Sequence, residues 1–122
     1  MNLIAQDITK KIIGAAFEVY RVLGYGFLEK VYQKAMMVEL KRMGLSAEME
    51  HPIHVEYKSV IVGDYAADLF VETQVMVELK VAKEYNQQDE PQLLNELKGT
   101  GVKVGMLINF GRTKVEFKRM VF

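Results

Sequence analysis

Ala67-Asp68-Leu69-Phe70-Val71-Glu72-Thr73-Gln74-Val75-Met76-Val77-Glu78-Leu79-Lys80 is the stretch whose reading decides the fold. Two apolar runs rich in β-formers flank a polar triplet, the pattern of two strands joined by a tight hairpin. With Glu72-Thr73-Gln74 as a three-residue loop, 71 pairs with 75, 70 with 76 and 68 with 78. Asp68 and Glu78 then stand opposite one another on one sheet face, Cβ atoms about 4.5–5.5 Å apart. Lys80, two residues beyond Glu78, shares that face. A two-residue loop would pair 68 with 79 and separate the carboxylates, so the juxtaposition depends on register.

Outward from the hairpin, Val60–Val71 and Val75–Val81 are its predicted strands. A strand before them is read from Ile53, Val55 and Tyr57 alternating with His54 and Glu56. Upstream, Ile8, Ile12, Ala15, Ala16, Val19 and Leu23 recur at helical spacing, with Asp7 as a cap and Gly24 as the stop. After Gly24-Tyr25-Gly26 a second helix is predicted from about Leu28 to Met43, with Leu28, Val31, Ala35 and Leu40 as its apolar stripe. Downstream, Pro91 suits the first position of a third helix that buries Leu93, Leu94 and Leu97 and ends near Gly99. Strands Val102–Phe110 and Val115–Phe122 finish the chain. The order is ααβββαββ, an α/β arrangement in which the third helix crosses over between parallel strands of a mixed sheet flanked by helices on both faces.

The 122 residues suit one domain spanning 1–122. Half of them are hydrophobic, enough for a real core. No apolar run approaches a membrane span, and the first residues lack the order of a secretory signal. Without cysteine there is no disulfide, thiolate zinc site or cysteine nucleophile, and a cytoplasmic setting is expected. The formal net charge is zero, distributed as +3 over 1–44, −8 over 45–97 and +5 over 98–122. An acidic middle between basic ends suits a cation site flanked by phosphate-binding surface, but on these sums alone an ordinary folded surface, on which the charges average out, is the preferred reading.

Directly opposed like charges destabilise a sheet, and carboxylates among Leu69, Phe70, Val77 and Leu79 are costly to bury unpaired. A hard cation such as Mg²⁺ is one remedy, since it takes oxygen ligands and keeps waters for a substrate. The ammonium of Lys80 is the other, and would leave a purely structural charge cluster. His51 and His54 fall on a strand at a spacing that sends them to opposite faces, which argues against a metal pair. Gly99-Thr100-Gly101 follows a helix and precedes a strand, the reverse of a dinucleotide-binding loop, and reads as a helix stop.

Asp68 with Glu78-Leu79-Lys80 resembles the D…(D/E)xK signature of the PD-(D/E)XK nuclease superfamily. Gly26-Phe27-Leu28-Glu29-Lys30-Val31-Tyr32 resembles the motif that names the GxxExxY protein family, a small branch of that superfamily. Ala67-Asp68-Leu69, Gln92-Leu93-Leu94 and Gly105-Met106-Leu107-Ile108-Asn109-Phe110-Gly111 extend the resemblance through nearly the whole chain.

The resemblance implies a restriction-endonuclease-like core and a metal-dependent nuclease hydrolysing phosphodiester bonds of DNA or another nucleic acid. It implies Mg²⁺ or Mn²⁺ held by Asp68, Glu78 and the backbone carbonyl of Leu79. Lys80 is expected to position or deprotonate the attacking water, Glu29 to reach the metal directly or through water, and Gln92 to orient substrate or Lys80. Tyr32, Lys83 and Lys98 are the expected substrate contacts. Glu96, one turn after Gln92, departs from the pattern, where Tyr or a basic residue is expected; a carboxylate there would weaken phosphate binding or add an acidic group near the metal. A homodimer would let so small a nuclease span a duplex. The alternative is a catalytically silent nuclease-fold module that binds nucleic acid or a protein partner.

Overall fold

The computed structural model describes residues 5–122. Helices α1 (Gln6–Leu23) and α2 (Glu29–Arg42) precede strands β1 (Ala47–Tyr57), β2 (Val60–Val71) and β3 (Val75–Lys80). A 3₁₀ turn at Gln87–Asp89 leads into α3 (Glu90–Thr100), and β4 (Val104–Phe110) and β5 (Val115–Val121) follow. The five strands form one sheet in chain order, antiparallel except for β3 beside β4, which α3 joins as a parallel pair. The ααβββαββ order and the helix-flanked mixed sheet are as predicted.

The decisive hairpin has the three-residue register: Val71 pairs with Val75, Phe70 with Met76 and Leu69 with Val77. Glu72 and Thr73 adopt left-handed backbone, and the Gln74 N–H donates to the Val71 carbonyl at 2.9 Å, closing the turn. Leu69, Val71, Val75, Val77 and Leu79 pack beneath α1 and α2 with Met106, Ile108 and Phe110. Phe70, Met76 and Leu107 pack on the opposite face with Leu93 and Leu97 of α3. Helices thus cover both faces, which is why β3 is buried at every position from 75 to 79.

Several sequence expectations need correction. Asp7 lies inside the first turn of α1 and does not cap it. Strand β1 begins at Ala47, six residues before the alternating run, and tolerates Pro52 because it is an edge strand. In α2 the buried residues are Tyr32, Gln33, Met36 and Leu40, while Leu28 is 79% exposed. The helix is therefore turned by about one residue, roughly 100°, from the predicted stripe. What turns it is Tyr32, whose ring stacks on Phe110 of β4 at 4.4 Å between centroids. Its hydroxyl donates to the Gly24 carbonyl and pins the preceding turn. That turn needs Gly26, whose φ of 114° a side chain would not tolerate.

Candidate active site

Asp68 sits where β2 changes faces. Ala67 belongs to the core under α3, yet Leu69, two residues on, belongs to the core under α1 and α2. A regular strand keeps residues two apart on one side. The change occurs between the Met49–Leu69 and His51–Ala67 pairs, where Glu50 and Asp68 form no ladder pair although the register is unchanged on either side, and Glu50 has φ 55°. Released from the ladder, Asp68 turns its carboxylate to β3, where Oδ2 accepts the Leu79 N–H at 2.7 Å. The Asp68 carboxylate therefore reaches β3 in the plane of the sheet instead of lying flat opposite Glu78. In an extended strand a residue's N–H and C=O leave on the same side, so the Leu79 carbonyl also points toward Asp68. The Leu79 side chain is fully buried in the apolar core.

Glu78 is only 8% exposed. Burial first, then the neighbouring charge of Asp68 and the carboxyl of Glu96, push its pKa up to about 10. Glu96, from the buried side of α3, is raised as well, chiefly by burial. Glu78 Oε1 and Glu96 Oε2 are buried without a hydrogen-bond partner among the described residues. Acidic oxygens drawn out of water this way are satisfied by a shared proton or by a cation. Lys80, half-buried beside Asn109 of β4, places its charge where it lowers the pKa of both Glu29 and Glu96.

Glu29 opens α2, where a helix N-terminus favours a carboxylate. Burial and the adjacent Asp68 outweigh that and push Glu29 up to about 7. One turn on, Gln33 donates from Nε2 to the Asp68 backbone carbonyl at 2.8 Å and to Glu50 Oε1 at 3.1 Å. Glu50 is also paired with Lys30. Gln33 ties α2 to the point where Glu50 and Asp68 leave the ladder. Its spacing from Glu29, four residues along one helix, was the sequence signal for it. Glu50 had no such signal, since its place depends on a backbone irregularity.

The structure thus brings Asp68, Glu78, Leu79, Lys80, Glu29 and Glu96 together. Gln92 is exposed on α3, and its Nε2 donates to Glu96 Oε1 at 3.3 Å, so it adjoins Lys80 through Glu96. Lys98 lines the same cleft as Gln92 and Glu96. Lys83 is exposed beyond β3, its carbonyl accepting the Arg112 N–H at 3.1 Å. Tyr32 is overturned as a substrate contact: it is 0% exposed, with its ring in the core and its hydroxyl engaged. One further residue steadies the end of β3. The buried Asn109 side chain accepts the Ala82 N–H and donates to the Ala82 carbonyl, both at 2.9 Å, extending the β3–β4 ladder by one side-chain rung.

The donor set is all oxygen, as a hard divalent cation prefers. The two partnerless carboxyl oxygens, the second oxygen of Asp68 and the Leu79 carbonyl are donors suited to such an ion. Among the described residues no three acidic or histidine side chains already converge at metal-ligand spacing, so waters or substrate oxygens would have to complete the shell. Among the described residues no helix is long and apolar enough to cross a membrane.

Comparison with known proteins agrees with this architecture. The crystal structure of SSO0001 matches with a TM-score of 0.56 at 15% identity over 96% of this chain, which spans 59% of that protein. An alkaline exonuclease (LHK-Exo) from Laribacter hongkongensis aligns at a TM-score of 0.42 and 8% identity, over 93% of this chain and 81% of the exonuclease. No curated protein sequence matches. The fold likeness to SSO0001 and the element order bear out a restriction-endonuclease-like core. Residues 6–120 match the family profile of the PD-(D/E)XK nucleases, and the chain accordingly belongs to the PD-(D/E)XK nuclease superfamily.

Proposed function

We propose that this protein is a metal-dependent nuclease of the GxxExxY branch, hydrolysing phosphodiester bonds of nucleic acid, with DNA as the first substrate to try. One observation carries the reading: a buried Glu78 carboxyl with a partnerless oxygen stands beside Asp68 and Lys80 at the end of a central strand, in a chain of a nuclease superfamily. The branch assignment rests on Gly26, Glu29 and Tyr32, which have three separate tasks: the turn, the approach to Asp68, and the packing that orients α2.

In this reading Asp68, Glu78 and the Leu79 carbonyl hold Mg²⁺ or Mn²⁺. When bound, such an ion acidifies water and offsets charge developing on the phosphate. Lys80 orients the attacking water and stabilises the same charge. Glu29, with its pKa pushed up to about 7, can take a proton near neutrality. Gln92 orients substrate at the mouth of the site, and Lys98 and Lys83 contact phosphates. The working unit is one domain over 1–122 acting in the cytoplasm, and a homodimer would supply a second copy for a duplex.

The test is calorimetric titration of Mn²⁺ into the parent, Asp68→Asn and Glu78→Gln, followed by cleavage assays on DNA and RNA. Saturable binding that both variants lose, together with cation-dependent cleavage by the parent, supports the proposal. A second reading, a silent nucleic-acid-binding module, is favoured by Glu78 itself, since a pKa of about 10 leaves the cation-free site protonated at neutral pH. Nucleic-acid binding that persists in EDTA and in Asp68→Asn, with no cleavage by the parent in Mn²⁺, would select that module.

A further inference from the structure

The sheet face that carries Glu78 continues past the carboxylates into an open cleft of about 710 Å³ between the β1–β2 arm and α3. That volume lies within the range of small-ligand sites, roughly 300–1,000 Å³. One wall is Tyr65 of β2, and the other is the Gln92–Gly99 side of α3. Tyr65 is 51% exposed, yet it is seated: a Cβ on Gly63 would lie 3.1 Å from Tyr65 Cε2 and 3.2 Å from Val55 Cβ. The missing side chain at Gly63 therefore gives the tyrosine ring a backbone shelf, with Val55 closing the side. An aromatic ring fixed at its edge and open over much of its surface is a stacking platform.

The polar lining says what would stack there. Gln92 and Asn95 offer amides that both donate and accept, and Glu56 offers a carboxylate. These groups read the edge of a nucleobase, a carboxylate taking the exocyclic amine of cytosine and an amide taking adenine. Lys98, the single cation among the lining residues, can meet a backbone phosphate at the rim, but a phosphate is a poor occupant of the cleft itself, because two carboxylates, Glu56 and Glu96, share its lining. A base inside a duplex is stacked on both sides and has no free surface to offer, whereas an unpaired base has. Tyr65 lies three residues from Asp68 along β2, about 10 Å at strand spacing. A base held there would belong to a nucleotide close to the reacting phosphate.

We infer that this cleft binds an unpaired nucleobase stacked on Tyr65, which makes single-stranded nucleic acid the substrate class. The inference deepens the nuclease reading of the neighbouring carboxylates and rests on it. The formal neutrality of the chain fits a binding mode in which stacking supplies what phosphate contacts do not.

The experiment measures anisotropy of a fluorescein-labelled oligodeoxyadenylate, single-stranded or annealed to oligothymidylate, with the protein in EDTA. Tyr65→Ala should weaken single-strand binding about tenfold, and Tyr65→Phe should bind like the parent. The chain has no tryptophan, so Tyr65→Trp introduces a unique indole whose emission the single strand should quench and the duplex should not. Equal single-strand binding by Tyr65→Ala and the parent, an indole indifferent to the single strand, or no single-strand binding by the parent would each overturn the inference. Cleavage by the parent and by Lys80→Ala in Mn²⁺ is read alongside. Cleavage lost in Lys80→Ala with no effect at Tyr65 removes the base pocket and keeps the nuclease. Quenching without any cleavage keeps the pocket and removes turnover.

Discussion

The two faces of β3 are one strand in two solvents. Toward α1 and α2 it presents Val75, Val77 and Leu79 to a largely apolar layer. Toward α3 it presents Met76 and then Glu78, whose carboxyl meets Glu96 and Asp68. Both faces are equally removed from water, but the first gains free energy by that removal and the second loses it. The difference teaches that the sheet is held by one side and equipped on the other. Buried carboxylates are tolerated in the interior because the opposite face supplies the cohesion.

The widest separation between the faces should appear at the end of the strand. Lys80→Ala is expected to lower cleavage roughly 10²–10⁴-fold while leaving the far-ultraviolet circular dichroism of the parent. A variant that cleaves normally would break the comparison, since the polar face would then be structural like its partner. Next comes a matched pair followed by urea unfolding. Leu79→Ala should cost about 3 kcal/mol, whereas Glu78→Gln should cost nothing, or stabilise, in cation-free protein at pH 8. Equal losses would mean that both faces work by packing.

A third test uses protons. Glu78 has an ordinary pKa of 4.5 and a folded value of about 10, so between those limits the native state holds a proton that the unfolded chain has released. Stability from that proton is full below pH 4.5 and is lost as pH rises toward 10. Glu29, raised to about 7, adds to the loss in the lower part of the window. The melting temperature of cation-free protein should therefore stand a few degrees higher at pH 5 than at pH 8, and Glu78→Gln should flatten the slope. A melting temperature that climbs with pH across this range would contradict the protonated site. The smallest effect concerns the support of Asp68. Gln33→Ala removes the donor to its carbonyl and should cost about 1 kcal/mol, read from the same urea titration.

The apolar face was the more legible of the two in the sequence. Alternation and helical spacing report burial against fat-like neighbours, and so Ile12, Ala15, Ala16 and Val19 of α1 were read directly, whereas the hairpin stood as two alternative registers until the structure selected the three-residue loop. Orientation of α2 was not legible, because its buried side carries Tyr32 and Gln33, one aromatic with a polar tip and one amide, in place of the aliphatic stripe. The first half of β1 was hidden by Pro52 and by charges that an edge strand can carry into water. At the site, Asp68, Glu78 and Lys80 stood out by spacing on adjacent strands. Glu50 did not, because it owes its place to a left-handed backbone and a missing pair with Asp68, a local irregularity that leaves no periodic pattern in the residues themselves.

The side-chain rung from Asn109 to Ala82 has a consequence in time as well as in space. A chain leaving a strand would ordinarily fray, its amides trading hydrogen with water within moments. The Ala82 N–H is held by the buried side chain of a residue in the neighbouring strand, so its exchange is slowed for as long as that rung holds. On the clock of amide exchange, the rung extends the protection of the sheet to Ala82, two residues past Lys80, at the carboxylate-bearing end of β3.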